Sequence, residues 1–382
     1  MSEIRVNNLS NESSTGGPTI SGITTFSGTN YFVPPVGNTA ERPDNPQKGA
    51  IRFNTDTAHL EYYKGDTIGW SEVEASHGQL GGGTGSNAGT GARGIWSGGD
   101  TPTIDNVIQY ITISTLGNSQ DFGDLVDKKT NHFSASSRTI VAWAGGYNGP
   151  SKTNSIQTQI FSSTGDSVDT ADLSASYSSA TGVSNQTRAC FIGGNDGSVR
   201  NTIEYYTFAA GANTVDFGDV LANMYTGSAC GSTTRGVFNY GVTSAPARLN
   251  TINYITLMTT GNSADFGDLT TNRNGTGALS NSTRGVWGGG ETPSSVDTMD
   301  YVTLATLGNA VDFGNMVGNR HNMTEDGASS PTRGVWAGGQ TPSNQDVIQY
   351  ITIATTGNAV DFGDLLAVRA NPAAASNAHG GL

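Results

Sequence analysis

The chain of 382 residues reads as all-β, on three observations. A five-residue segment recurs: Asp121-Phe122-Gly123-Asp124-Leu125 returns from Asp216, Asp265, Asp312 and Asp361, with a degraded copy from Asp169, at a mean period of 48 residues. Each copy carries an alternating β-branched and aromatic run, such as Val107-Ile108-Gln109-Tyr110-Ile111-Thr112-Ile113, which is the period-2 pattern of a strand. Gly-Asn or Gly-Asp pairs at 117–118, 165–166, 261–262, 308–309 and 357–358 mark tight turns between strands. A fixed period of this size belongs to a propeller, a solenoid or an array.

Each copy resolves into elements in the same order. It opens on an Arg, usually followed by Gly and an apolar pair: Arg93-Gly94-Ile95-Trp96, Arg235-Gly236-Val237-Phe238, Arg284-Gly285-Val286-Trp287 and Arg333-Gly334-Val335-Trp336. Arg138 and Arg188 head two looser copies, with Trp143 and Phe191 in the aromatic place. A Gly pair follows in five copies, and only Gly241 survives in the fourth. Then come the Tyr run, the turn, the Asp-Phe-Gly-Asp strand and a stretch of small residues such as Arg273 to Leu279. That is about four short strands, one propeller blade. Tyr110, Tyr205, Tyr254, Tyr301 and Tyr350 each stand eleven residues before their own Asp, with Thr158 in the second copy, as a hairpin of fixed register requires. The Arg-to-Tyr interval is 17 in four copies but 20 in the second and 19 in the fourth, so variation falls in loops.

The two ends of the repeat complement each other. Arg369 to Asn377 matches Arg273 to Asn281, while only a Gly-rich run precedes Arg93. The first blade lacks one strand and the last residues have one to spare, so residues 93–382 are expected to form six blades closed by the C-terminal strand, which removes free sheet edges.

Composition narrows the function classes. Charged residues make up 13% and Gly numbers 53, against about 25% charged and about 7% Gly in ordinary domains. The net charge of −13 argues against nucleic acid as a partner. No apolar stretch approaches a membrane span, and the first residues lack the apolar core of a secretory signal. Cys190 and Cys230 fall at apolar strand positions of other copies and read as buried free thiols, in keeping with assembly in a reducing cytoplasm.

Residues 1–76 lack the repeat. Residues 1–40 read as an extended polar arm. Residues 41–76 read as a small β meander with Ile51, Phe53, Leu60, Tyr62 and Trp70 as its apolar set, and residues 77–92 as a flexible Gly-rich linker. A meander this small needs a partner for stability.

The Gly pair after a strand, the Tyr strand and the Arg-led small-residue stretch resemble the kelch type of propeller, although Phe or nothing stands where kelch repeats carry a Trp. The Asp-Phe-Gly-Asp-Leu segments with Thr-Arg-Gly-Val-Trp-x-Gly-Gly resemble repeats in virion structural and tail-fibre-like proteins of marine tailed phages, notably cyanophages. The stretch from Arg42 to Trp70 resembles a short module of phage fibre and appendage proteins. These resemblances imply a virion protein assembled in the host cytoplasm. They imply attachment to other tail or baseplate proteins through residues 1–76, commonly as a homotrimer, and host attachment through surface glycan.

Candidate chemistry is sparse. The paired Asp residues (Asp121, Asp216, Asp265, Asp312 and Asp361 lead them) are expected to cap turns or bond between blades, not to hold Ca²⁺, because they flank an aromatic-Gly pair in a strand and Asn315 interrupts the series. The opening Arg93, Arg188, Arg235, Arg284 and Arg333 are expected to pair with neighbouring Asp residues. No catalytic motif, metal site or cofactor site is recognised, and His321 with nearby Glu325 needs no catalytic explanation. The expected function is therefore a non-enzymatic tail-fibre or baseplate protein. Its alternatives are a propeller polysaccharide depolymerase and a purely structural capsid or tail decoration protein. The candidate receptor contacts are Lys128, Lys129, Trp143, Tyr147 and Lys152, where three of the five lysines lie close in sequence to two aromatic rings.

Overall fold

The computed structural model describes residues 34–56, 59–72, 92–244, 247–323 and 327–382. Residues 1–33 of the arm and 73–91, which include nearly all of the Gly-rich linker, lie outside the described residues, as does Glu325. The fold is all-β, and the chain divides into two units, residues 1–77 and 78–382.

In the first unit a four-stranded sheet runs Val36–Gly37, Ile51–Asn54, His59–Tyr63, Trp70–Glu72, with the first pair parallel and the others antiparallel. The sheet thus begins before residue 41: Val36 and Gly37 pair with Phe53 and Asn54, and Asn38 caps the short 3-10 helix Thr39–Glu41 through a reciprocal capping box. The expected apolar face is also corrected. Arg52, Asn54 and Glu61 are buried together with Tyr63, whereas Ile51 is 53% exposed. Glu61 accepts hydrogen bonds from Arg42 (2.5 Å) and Asn54 (3.2 Å) and lies 3.6 Å from Arg52. This polar network offsets the burial of the Glu61 carboxylate with hydrogen bonds and nearby positive charge. The hydrogen bond from Arg42 in particular holds the Glu61 carboxyl below its usual range.

The second unit contains six antiparallel four-stranded sheets. In the second sheet the strands are Phe133–Ser136, Ile140–Ala144, Ser155–Ile160 and Val168–Asp172, and the third to sixth sheets repeat this order. The first sheet takes its first strand, Ala373–Ser376, from the far end of the sequence and pairs it with Arg93–Ser97, followed by Val107–Thr112 and Gln120–Asp124. A bulge in the last hairpin of every sheet, between Ile108 and Gln109 in the first, re-aims the fourth strand.

Apolar side chains bury between consecutive sheets. Six clusters result, one per neighbouring pair; the one holding Trp96, Ile111 and Ile113 against Val335, Ile348 and Phe362 joins the sixth sheet to the first. Trp96, Trp143, Trp287 and Trp336 are fully buried at equivalent places.

The repeated motif makes the joints. In five of the six, the turn Gly of one sheet donates its N–H to the Phe carbonyl of the preceding Asp-Phe-Gly-Asp strand, as in Gly165 to Phe122 (2.7 Å) and Gly117 to Phe362 (3.0 Å). The Gly after that Phe must be Gly: Gly123 has φ 146°, and a Cβ there would stand 2.2 Å from the Gly165 carbonyl oxygen. At all six joints the next residue's N–H donates to the turn's Asn or Asp side chain, for example Asp219 to Asn262 and Asp364 to Asn118. The bonding between sheets thus runs through the backbone of the motif, while its leading carboxylates at Asp121, Asp216, Asp265, Asp312 and Asp361 are exposed.

Among the described residues the opening Arg residues form no ion pair with Asp. Arg93, Arg188, Arg235, Arg284 and Arg333 each donate to a backbone carbonyl of the following sheet, Arg333 reaching Ile113 of the first. Each also lies 4.1–4.8 Å from the ring centre of its own sheet's Tyr. The second sheet departs at both partners together. Ile140 takes the Arg place, with Arg138 exposed in the turn before it, and Thr158 replaces the Tyr.

Candidate functional site

A hydrogen-bonded circuit at one end and a chain of serine bonds at the other bound the first strands. The connector entering each sheet holds one residue in the left-handed region: Asn131 (φ 51°), Ser179 (57°), Thr226 (53°), Gly275 (62°), Asn322 (50°) and Asn371 (52°). Their peptides bond in series. Asn131 donates to Asn371, Asn371 to Asn322, Asn322 to Gly275, Gly275 to Thr226, Thr226 to Ser179, and Ser179 to Asn131, at 2.8–3.3 Å. A left-handed backbone is costly away from Gly, Asn and Asp, and this circuit holds it in place. At the other end of the same strands, Ser136, Ser184, Ser280, Ser329 and Ser376 bond neighbouring sheets through hydroxyls and backbone. Five residues of strand separate the two, about 16 Å.

The loops between second and third strands lie at the asparagine end. Each bridges back to the connector beside it, as Tyr147 does with Thr130 through two backbone hydrogen bonds. Most charged groups here are spent on one another. Arg200 pairs with Asp196 (3.1 Å), Arg248 with Glu291 (3.2 Å) and Arg369 with Asp105 (3.3 Å), while Lys152 donates to Asn195 (2.5 Å).

The sequence-predicted contact residues separate into two groups. Lys128 and Tyr147 are exposed around the loop of the second sheet, with Lys152 half-buried beside them. Lys129 and Trp143 are not on the surface. Trp143 is fully buried in the cluster between the first and second sheets. Lys129 is fully buried too, donating to Ser155 (2.6 Å) and lying 3.7 Å from Asp127. Burial pushes its ammonium below the usual lysine range, and Asp127 opposes the shift.

Lys129 belongs instead to a structural position. Lys129, Tyr177, Met224, Arg273, Arg320 and Arg369 each follow the last residue of the Asp-Phe-Gly-Asp segment by five. The backbone carbonyl of five of them accepts from the second residue of the preceding sheet's Gly pair. The three Arg side chains reach forward into the next sheet. Arg273 donates to the Gly289 and Thr298 carbonyls and to Asp300 (2.8 Å), with both charges fully buried. The constant five-residue spacing is the signal that could have found this position.

Between the circuit and the serine bonds is a cavity of about 40 Å³, lined by the first strands of all six sheets. That volume suits a few waters at most. Residues 377–382 cross its serine end. His379 Nδ1 accepts from the Gly381 N–H, so Nε2 carries the proton and donates to the Ser136 carbonyl (3.0 Å), while Gly380 donates to the Ser280 carbonyl. Gly381 fits only without a side chain, since a Cβ would lie 2.0 Å from the Ser184 carbonyl oxygen. Gly231 stands where other sheets place the bonding Ser, and Gly380 packs into that gap.

Buried His132 and half-buried His379 make stability depend on pH. Burial pushes His379 down to about 4 and His132 to about 3, the latter aided by Lys129 and Arg369; His132 Nε2 meets Ser97 Oγ at 2.7 Å. Both folded values lie below the ordinary 6.5, so the unfolded chain binds more protons between. Their contribution is complete above pH 6.5 and is lost as pH falls towards 4 and then 3, on the order of several kcal/mol together. Melting curves from pH 7 to 4 should show Tm falling with acid, and a His132→Gln variant should show a shallower slope. An equal slope in that variant would remove His132 from the account.

Cys190 and Cys230 are buried thiols in different sheets, and burial pushes the Cys190 thiol up to about 12. Among the described residues no group of His, Cys, Asp and Glu side chains is arranged to hold a metal ion, and no helix is long and apolar enough to cross a membrane. No protein-family model and no curated protein matches this sequence.

Proposed function

We propose that the six sheets are the blades of a closed, kelch-like β-propeller, and that the chain is a non-enzymatic tail-fibre or baseplate protein of a phage virion. On this reading residues 1–76 attach it to other virion proteins, and the propeller presents its asparagine end to host-surface glycan. The observation carrying the propeller is the six-membered peptide circuit from Asn131 through Asn371 and back. A row of sheets open between the sixth and the first could not complete it. The motif residues most suggestive of chemistry, Arg and Asp-Phe-Gly-Asp, are spent on joints, which favours a rigid display body. In the first unit, exposed Val36, Ile51 and Ile68 supply apolar surface for an attachment partner or a homotrimer. The virion assignment itself rests on the sequence resemblance.

The test uses the full chain, fluorescently labelled, on cyanobacterial cells before and after mild periodate oxidation of their surface sugars. Saturable binding that periodate abolishes is the expected result, with no reducing ends released from isolated cell-surface polysaccharide. Release of reducing ends would establish the depolymerase instead, and absence of cell binding would leave the decoration protein.

A further inference from the structure

We propose that the mouth framed by the peptide circuit is a binding site for a neutral, polyhydroxylated ligand, a non-acidic glycan, with Asn131, Asn322 and Asn371 as its hydrogen-bonding edge. This rests on the glycan-display reading above and moves its main contact to the asparagines of the circuit, with Tyr147 of the second sheet's loop beside them.

The three asparagines occupy consecutive connectors, since Asn322 enters the sixth sheet, Asn371 the first and Asn131 the second. The circuit fixes their backbones. A carboxamide offers two donors and two acceptor sites. Those at the mouth are lightly used: Asn131 Nδ2 reaches Thr130 Oγ1 at 3.5 Å, and Asn371 Nδ2 reaches Asp100 Oδ2 at 3.4 Å. Asn322 projects its oxygen over Gly275, where a Cβ would stand 3.0 Å from it, so Gly275 leaves a notch beside the edge. All three residues are half-buried, as hydrogen-bonding groups at the rim of a recess are.

Charge selects the ligand class. Asp100 stands at this edge, its carboxylate accepting from Thr130 Oγ1 (3.0 Å) and Asn371 Nδ2 (3.4 Å), while Arg200, Arg248 and Arg369 are ion-paired and Lys152 is held by Asn195. An acidic sugar would meet that carboxylate at the asparagine edge. A neutral sugar needs only amides for its hydroxyls and a ring for its apolar face. Tyr147, 37% exposed and bridged to Thr130 beside Asn131, supplies the ring. The cavity of about 40 Å³ beneath is too small for a pyranose, so the ligand rests on the mouth.

The test compares the full chain with an Asn131→Gly/Asn322→Gly variant on an array of neutral and acidic glycans, with labelled-cell binding as a second readout. Gly tolerates the left-handed backbone, as Gly275 shows at the equivalent position, so Tm should hold. The expected result is binding of the parent to neutral glycans, weakened tenfold or more in the variant at unchanged Tm, with cell binding reduced in parallel. Three results would overturn the mouth site: binding confined to acidic glycans, equal neutral-glycan binding by parent and variant, or a parent that binds cells through sugar while its array binding ignores both substitutions. The last leaves the display function standing. A parent that binds neither cells nor glycans defeats both.

Discussion

Removing residues 370–382 should abolish cooperative unfolding of the repeat unit. The segment contains Ala373–Ser376, the first strand of the first sheet, hydrogen-bonded to Arg93–Ser97. It also carries Ser376, which ties the first sheet to the second and the sixth, and Asn371 of the peptide circuit. Without it Trp96 loses its cover from Ala374, and the outer edge of Arg93–Ser97 stands unpaired. A typical domain is held together by only about 5–15 kcal/mol, so losing a whole strand and the cover of a buried Trp removes a large share of it. The exposed edge then promotes aggregation. Calorimetry of the truncated chain should show a broad, low-enthalpy transition with loss of soluble protein on heating. A transition as sharp as the parent's would mean that residues 370–382 contribute no structural strand.

The second large effect is expected at Asp300. Its carboxylate receives Arg273 Nη2 (2.8 Å), the Thr270 hydroxyl (2.7 Å) and the Thr270 N–H (3.1 Å), and neither member of the ion pair is exposed. Asp300→Ala strands a buried guanidinium, whose desolvation already pulls it below its usual range, and should cost about 3–5 kcal/mol. Adding Arg273→Met should return part of this loss, because no charge is then left unpaired. Met224 stands at the same position in the connector one sheet earlier, packed among Ile192, Phe238 and Tyr240. Urea denaturation of the four proteins of this double-mutant cycle measures the coupling. A cost below about 1 kcal/mol for Asp300→Ala would show that the pair is hydrated.

The all-β class was legible because alternation and turn chemistry are local properties. The runs around Tyr110 and Tyr254 and the Gly-Asn turns depend on nothing distant. Partners across joints were not legible. Arg93 has Asp residues in its own copy, yet its donor goes to the Phe161 carbonyl of the next sheet, a backbone atom with no sequence signature. Lys129 looked like a surface charge because Lys128 precedes it, and only its equivalence to Arg273, Arg320 and Arg369 marks it as interior. In the N-terminal sheet the alternation was read correctly but its buried face was not, since the network around Glu61 puts the polar side inward. The mouth asparagines were invisible for a related reason. Asn131, Asn322 and Asn371 are ordinary loop residues until the six connectors meet.

Closure of the six sheets is the claim on which the display body, the serine-end seal and the mouth all depend. Native-state hydrogen exchange at the six circuit amides tests it most directly. The account predicts that Asn131, Ser179, Thr226, Gly275, Asn322 and Asn371 are protected to a similar degree and exchange only through large-scale opening, Asn371 and Asn131 included. Exchange of Asn371 and Asn131 at loop rates, with the other four still protected, would reveal an arc open between the sixth and first sheets and would contradict it.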